Sequence, residues 1–191
     1  MVEEGYKNLA HLKEWMDFAS IRFLKSQVLD RPSKIFQTRL VTLTGGQEKL
    51  YREILSSVRQ EIQTEEGDSI SLTGVAARLQ RLRQLINHPK LVKGVTHFAG
   101  DSAKYLELDD VVEDILSNPE AQILVWTQWR AAVDMLVQRY KDYGAIAFYG
   151  GSDDRAVRDA VLSKKARVVV AIPEKAGTSV DWLKVCRTAV Y

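Results

Sequence analysis

The chain has 191 residues and a formal net charge of +2, with 46% hydrophobic and 27% charged residues. This composition is typical of a globular protein with one α/β domain and an appendage, or two small units. The single cysteine, Cys186, excludes a disulfide framework and a multi-cysteine zinc site. The small net charge means that any nucleic-acid binding depends on local groups.

No apolar run approaches the ~20 residues that cross a bilayer, and the acidic first residues predict no secretory signal. We therefore expect a cytoplasmic, nucleoid or nuclear protein that is not secreted.

The first half of the chain is predicted to be mostly helical. Apolar residues at the helical period predict helices over residues 6–29, 47–65 and 73–87. Between the first two, residues 36–44 alternate between two faces and end at a pair of glycines, which predicts one strand. The glycine-containing segment 90–101 is predicted to be a loop and the domain boundary.

From Ser102 onward, helices alternate with short apolar runs, which is typical of βαβ units and a parallel sheet. Strands are predicted at residues 123–127, 145–149, 167–172 and 187–191. The predicted fold class is therefore α/β, with a helical region over residues 1–101 and a parallel-sheet domain over residues 102–191.

Two polar residues, Thr127 and Gln128, lie at the exit of the first predicted strand. In an open parallel sheet, ligands gather at the carboxyl ends of strands and at the helix N-termini that follow them. A hydroxyl and an amide suit a phosphate or sugar oxygen. The alternative, which the residue type favours here, is that Thr127 simply caps the next helix.

The second predicted strand ends at Gly150, Gly151 and Ser152, and Arg158 follows one to two turns into the next helix. The two glycines allow close approach of a backbone, and the arginine could reach a phosphate. A tight turn beside a surface arginine is an equal alternative, and the neighbouring aspartates oppose phosphate binding.

The loop after the third predicted strand, residues 173–182, combines a lysine, a glycine and two hydroxyls. This combination of charge, open backbone and hydroxyl groups makes it the best predicted anion-binding loop of the chain, with an ordinary capped loop as the alternative. The chain contains no GxxxxGK[ST] motif, and the spacing of its residues indicates no catalytic residue and no metal site.

In order, these features resemble those of the Swi/Snf branch of helicase-like ATPases. The match covers nearly the whole chain, and its most specific piece is Leu82-Arg83-Gln84-Leu85-Ile86-Asn87-His88-Pro89, close to the family's "LRQ..NHP". Leu43-Thr44 with Gln47 and Tyr51 matches "LT..Q..lY", and Ser102-Ala103-Lys104 is similar to the "S.K" before the second lobe. Residues 123–129 resemble motif IV, residues 149–152 with Arg158 resemble "i.Gs…R", and residues 175–182 resemble a degenerate motif V.

The resemblance implies a helical linker followed by the RecA-like second lobe of an ATP-dependent DNA translocase. The intact motor would use ATP and Mg²⁺, bind double-stranded DNA independently of sequence, and close on a first RecA-like lobe. Gly177 and Asp181 would border the ATP cleft. The residues implied to hold the DNA backbone are Thr127, Gln128, Gly151, Ser152, Arg158, Lys175, Gly177, Thr178 and Ser179.

The chain also departs from the family. Motif V carries Ser179 and Asp181 where the family has Gly and Asn, and motifs I to III and VI are missing, so truncation before motif VI is expected. Phosphoryl transfer needs a P-loop, Mg²⁺ and arginine together, so we expect this chain alone to be inactive and to need no cofactor. Two alternatives remain: a degenerate, non-catalytic lobe that binds DNA or protein, and, last, an unrelated dinucleotide or nucleotide-sugar domain.

Overall fold

The computed structural model describes residues 7–24, 28, 30, 34–64, 72–95, 98–177 and 180–191. Its contacts divide the chain into two compact units, Met1–Arg39 and Leu40–Tyr191. The boundary predicted at residues 101 and 102 falls inside the second unit. None of the helices in the described residues has an apolar stretch of the length that a membrane span requires.

The first unit contains helix α1, Leu9–Ala19, which buries none of its residues. Ser20 ends the helix because its backbone is extended (φ −140°, ψ 147°), and its hydroxyl donates to the Met16 carbonyl at 2.6 Å. The helix predicted over residues 6–29 is therefore too long, since residues 20–24 are not helical.

The strand predicted over residues 36–44 is wrong. Residues 34–44 form neither helix nor strand, and Phe36 and Leu40 are 87% and 93% exposed. The alternation of side chains was a poor guide here because a strand needs a backbone partner and a face to bury. The sheet in the described part of the chain is built only from strands after residue 122.

The second unit begins with two helices that pack together, α2 (Gly45–Thr64) and α3 (Leu72–Asn87). α3 buries Leu82 and Leu85 and is followed by a short 3₁₀ turn, Pro89–Leu91. His88 separates the two because Pro89 disfavours a helical conformation in the residue before it.

A four-stranded, wholly parallel sheet forms the centre of this unit, in the order β2-β3-β1-β4. The fold class predicted from the sequence, a parallel-sheet α/β lobe, is confirmed. The strands are β1 (Ile123–Trp126), β2 (Ile146–Phe148), β3 (Val168–Ala171) and β4 (Thr188–Val190).

Helices cover both faces of the sheet. They are α4 (Ala103–Leu116), α5 (Arg130–Arg139), α6 (Asp154–Leu162) and the short α7 (Pro173–Ala176). Side chains of α4 and α5 pack with Val125 and Val170, whereas side chains of α6 pack with Leu124 and Val169. Because successive strand residues face opposite sides, both faces of β1 and β3 are buried. This explains their almost continuous apolar sequences.

Candidate nucleic-acid interface at the carboxyl edge of the sheet

Three loops leave the sheet at one edge. Trp126 of β1 and Phe148 of β2 both lie opposite Ala171 of β3 in the strand register, so the three strands end level. We call the segments that follow them, residues 127–130, 149–153 and 172–181, the carboxyl edge. Within its described residues, this edge contains most of the binding residues predicted from the sequence.

In the first loop, one of the two predicted binding residues is buried and the other is exposed. Thr127 is 6% exposed; its backbone N–H donates to the Ala171 carbonyl at 3.0 Å, and its Oγ1 accepts from the Trp129 N–H at 3.5 Å. Gln128, by contrast, is exposed. The Thr127 hydroxyl therefore supports the local turn, and the Gln128 amide is open to a ligand.

Ser152 holds the second loop together. Its Oγ accepts from the Tyr149 N–H at 3.0 Å and donates to the Ala147 carbonyl at 3.3 Å. Gly151 has a φ of 100°, a left-handed conformation that favours glycine. Asp153 then caps α6 by accepting from the backbone of the first helical turn. The Ser152 hydroxyl thus has partners within the protein, and the exposed backbone of Gly151 is the open part of the loop.

The third loop carries a lysine whose charge is already compensated. Lys175 Nζ lies 2.9 Å from Asp154 Oδ2 and 5.8 Å from the centre of the Phe148 ring. A Cβ on Gly177 would lie 2.5 Å from the Pro173 carbonyl oxygen, so a larger residue there would require the backbone to shift. Thr178 and Ser179 lie outside the described residues. Asp181 is exposed and begins the 3₁₀ turn Asp181–Val185.

Arg158 stands apart from the other predicted residues. It is exposed on α6, and its helix buries Val157 and Val161 against the sheet. In the part of the chain that the structure describes, no ion pair or hydrogen bond brings Arg158 to the carboxyl edge.

Arg130 and Tyr149 form a contact that was not predicted from the sequence. The Arg130 guanidinium lies 4.6 Å from the centre of the Tyr149 ring, and Nη2 donates to the Tyr149 hydroxyl at 3.3 Å. Arg130 is the first residue of α5. A cation is electrostatically unfavourable at a helix N-terminus. An arginine at the predicted start of this helix was therefore the sequence feature that could have indicated a binding role.

Away from the carboxyl edge, the buried side chain of Gln47 forms a separate group of polar contacts. Gln47 is fully buried; its Nε2 donates to the Leu85 and Ile86 carbonyls at 2.8 and 3.2 Å, and its Oε1 accepts from the Ala103 N–H at 3.2 Å. One side chain thereby joins the start of α2, the end of α3 and the start of α4.

His88 extends these contacts toward α5. It is 2% exposed; Nδ1 accepts from the Lys90 N–H at 3.1 Å, and Nε2 lies 3.3 Å from Asp101 Oδ1. Arg139 forms ion pairs with Asp101 and Asp109. We call Gln47, His88, Asp101, Asp109 and Arg139 the junction.

Burial and charge set the protonation of the junction. Burial lowers the pKa of His88 below its ordinary value, although Asp101 opposes this. Burial would raise the pKa of Asp101, but the hydrogen bond and charge of Arg139 outweigh it, so that pKa also lies below its ordinary value. At neutral pH His88 is therefore uncharged and Asp101 is ionised.

Comparisons with known proteins agree with this architecture. No family model matches the sequence. A curated relative, Zorya protein ZorD of Escherichia coli O139:H28 (strain E24377A / ETEC), is 25% identical over 127 residues. The match covers 65% of this chain but only 12% of that protein.

Two solved structures are similar over most of the chain. The Sulfolobus solfataricus SWI2/SNF2 ATPase C-terminal domain aligns with a TM-score of 0.57 and 18% identity, over 69% of this chain and 60% of that one. The C-terminal part of the Fun30 ATPase domain aligns with a TM-score of 0.60 and 12% identity, over 80% and 73%. The chain thus has the fold of the C-terminal lobe of SWI2/SNF2 ATPases, and the resemblance drawn from its motifs is confirmed at the level of the fold.

Proposed function

We propose that this chain is the helical linker and second lobe of an ATP-dependent DNA translocase, and that its carboxyl edge holds the sugar-phosphate backbone of duplex DNA. The observation that carries the proposal is the level ending of β1, β2 and β3. It gathers the motif IV, "i.Gs" and motif V segments at one edge. The SWI2/SNF2 fold and the order of these motifs support the same function.

The edge suits a backbone more than a base. Its open groups are the Gln128 amide, the exposed backbone of Gly150 and Gly151, and the exposed Arg130. Such groups recognise phosphate and sugar oxygens and read no sequence. Sequence-independent binding to duplex DNA, weakened by salt, is the expected behaviour.

The chemistry of ATP would belong to other parts of the motor. The chain has no P-loop to cradle a triphosphate, so its residues do not fit a complete Mg²⁺–ATP site. Within the proposal, Gly177 and Asp181 border the cleft in which a first lobe holds the nucleotide. Closing of the two lobes would then displace the backbone gripped by this edge.

ATP hydrolysis by the complete product of the reading frame that contains this chain tests the proposal. We expect duplex DNA to raise the hydrolysis rate several-fold, and Gln128→Ala to weaken that stimulation. Gln138→Ala, an exposed glutamine on α5 away from the strand ends, is the matched control. Hydrolysis that is absent, or indifferent to DNA, would contradict the proposal.

A degenerate, non-catalytic lobe that binds DNA or a protein partner is the second candidate. Ser179 and Asp181, which stand where the family's motif V has Gly and Asn, favour it. It predicts DNA or protein binding without any ATP hydrolysis by the complete product, so the same assay separates the two functions.

A further inference from the structure

We propose that Arg130, held on the ring of Tyr149, binds a phosphate of the DNA backbone at the carboxyl edge. The inference rests on the proposed function and assigns a charged contact within it. Neither residue is among those that the motifs implied for DNA binding.

The first step is the position of the pair. Arg130 begins α5, directly after the β1 loop, and Tyr149 follows the end of β2. β3 lies between those two strands. The contact between the two side chains therefore joins the loops that follow β1 and β2 across the end of β3.

The second step is the charge of the guanidinium. Lys175, a cation in the loop after β3, is paired with Asp154 at 2.9 Å. Arg130 has an aromatic ring and a hydroxyl as partners. Across the described residues, no carboxylate lies within ion-pair distance of it. Its positive charge is therefore available to an external anion.

The third step is the geometry of the contact. A guanidinium that rests on an aromatic face keeps its N–H donors at the rim of the plane, where they can pair with two phosphate oxygens. The ring also reduces the rotamer freedom that binding would otherwise remove. Arg130 is exposed and Tyr149 half-buried, so the pair is anchored on one side and open on the other.

Two variants separate charge from positioning. Arg130→Gln removes one phosphate contact, so we expect affinity for a short DNA duplex to fall about tenfold at low salt. The slope of log K against log salt should become shallower by about 0.9. Tyr149→Ala keeps the charge but loses the support, so affinity should fall about threefold with the slope unchanged. Tyr149→Phe, which keeps the ring, should stay close to the wild type.

Lys141→Gln is the matched control, because it removes the same charge from an exposed residue at the other end of α5. Fluorescence anisotropy of a labelled duplex over a salt series measures every variant, with circular dichroism to confirm folding. Equal slopes for Arg130→Gln and Lys141→Gln, with wild-type binding intact, would overturn this inference alone. No salt-sensitive binding by the wild type would overturn the proposed DNA contact as well.

Discussion

The junction and the carboxyl edge are both polar, but they use their polar groups differently. At the junction, Gln47 and His88 are buried and bond to backbone or side-chain groups of other segments. At the carboxyl edge, Gln128 and Arg130 are exposed, and Arg130 has an aromatic partner in place of an anion.

This difference indicates which polar residues hold the fold and which are available to a ligand. A buried polar group is costly unless it is hydrogen-bonded, so the bonds at the junction are needed for folding. An exposed cation without an anionic partner contributes little to the stability of the fold, but its charge is available to an anionic ligand. Substitutions at the junction should therefore change stability, and substitutions at the edge should change DNA binding.

Gln47→Leu should produce the largest loss of stability. It removes three hydrogen bonds and leaves the Ala103 N–H and the Leu85 carbonyl without that partner. Buried polar groups without a hydrogen-bond partner cost about 1–3 kcal/mol each. We therefore expect a loss of about 3 kcal/mol in the free energy of unfolding. Urea denaturation measures it, and Gln80→Leu, an exposed position on α3, should change little. Equal midpoints for the two variants would contradict a structural role for Gln47.

Arg139→Gln should have the next largest effect. It leaves Asp101 and Asp109 without their cation. Because the side chain of Arg139 is only partly buried, at 27% exposure, we expect about 2 kcal/mol, below the cost of breaking a fully buried pair. Arg155→Gln, on an exposed residue of α6, is the comparison. DNA affinity that falls with Arg139→Gln more than with Arg130→Gln would reverse the assignment of the two regions.

Ser152→Ala tests an edge residue whose hydroxyl has partners within the protein. The variant loses the contacts with Tyr149 and Ala147, which should lower stability by about 1 kcal/mol. Its DNA affinity should fall less than that of Arg130→Gln. A thermal melt and the anisotropy titration measure both. A tenfold or larger loss of affinity with an unchanged melt would show that the hydroxyl serves the ligand instead.

The smallest expected effect is the pH dependence of the junction. The pKa of His88 is lower in the folded chain than its ordinary 6.5, so the unfolded chain binds more protons as the pH falls through that value. Stability should therefore be full above pH 6.5 and decline on acidification; Asp101, whose pKa is also lowered, adds a similar loss at lower pH.

His88→Asn, which keeps an acceptor for the Lys90 N–H, should flatten this decline between about pH 8 and about pH 5.5. Urea midpoints of the two proteins across that range measure it. Parallel curves would mean that another group is responsible for the pH dependence.

The sequence predicted the parallel sheet well because the apolar runs of β1 and β3 are buried on both faces. It was wrong for residues 36–44, where alternation alone could not supply a partner strand. Contacts between segments that are distant in the chain could not be predicted from the sequence either. Arg130 and Tyr149 follow two strands that are separated by β3, and Gln47 reaches Ala103 across 56 residues. Only the folded sheet brings such residues together.

Hydrogen exchange of the chain with and without a short DNA duplex tests the central claim most directly. We expect DNA to slow exchange in peptides that cover residues 127–132, 149–153 and 172–177, and to leave residues 84–103 of the junction unchanged. Protection that appears at the junction but not at the carboxyl edge would contradict the account.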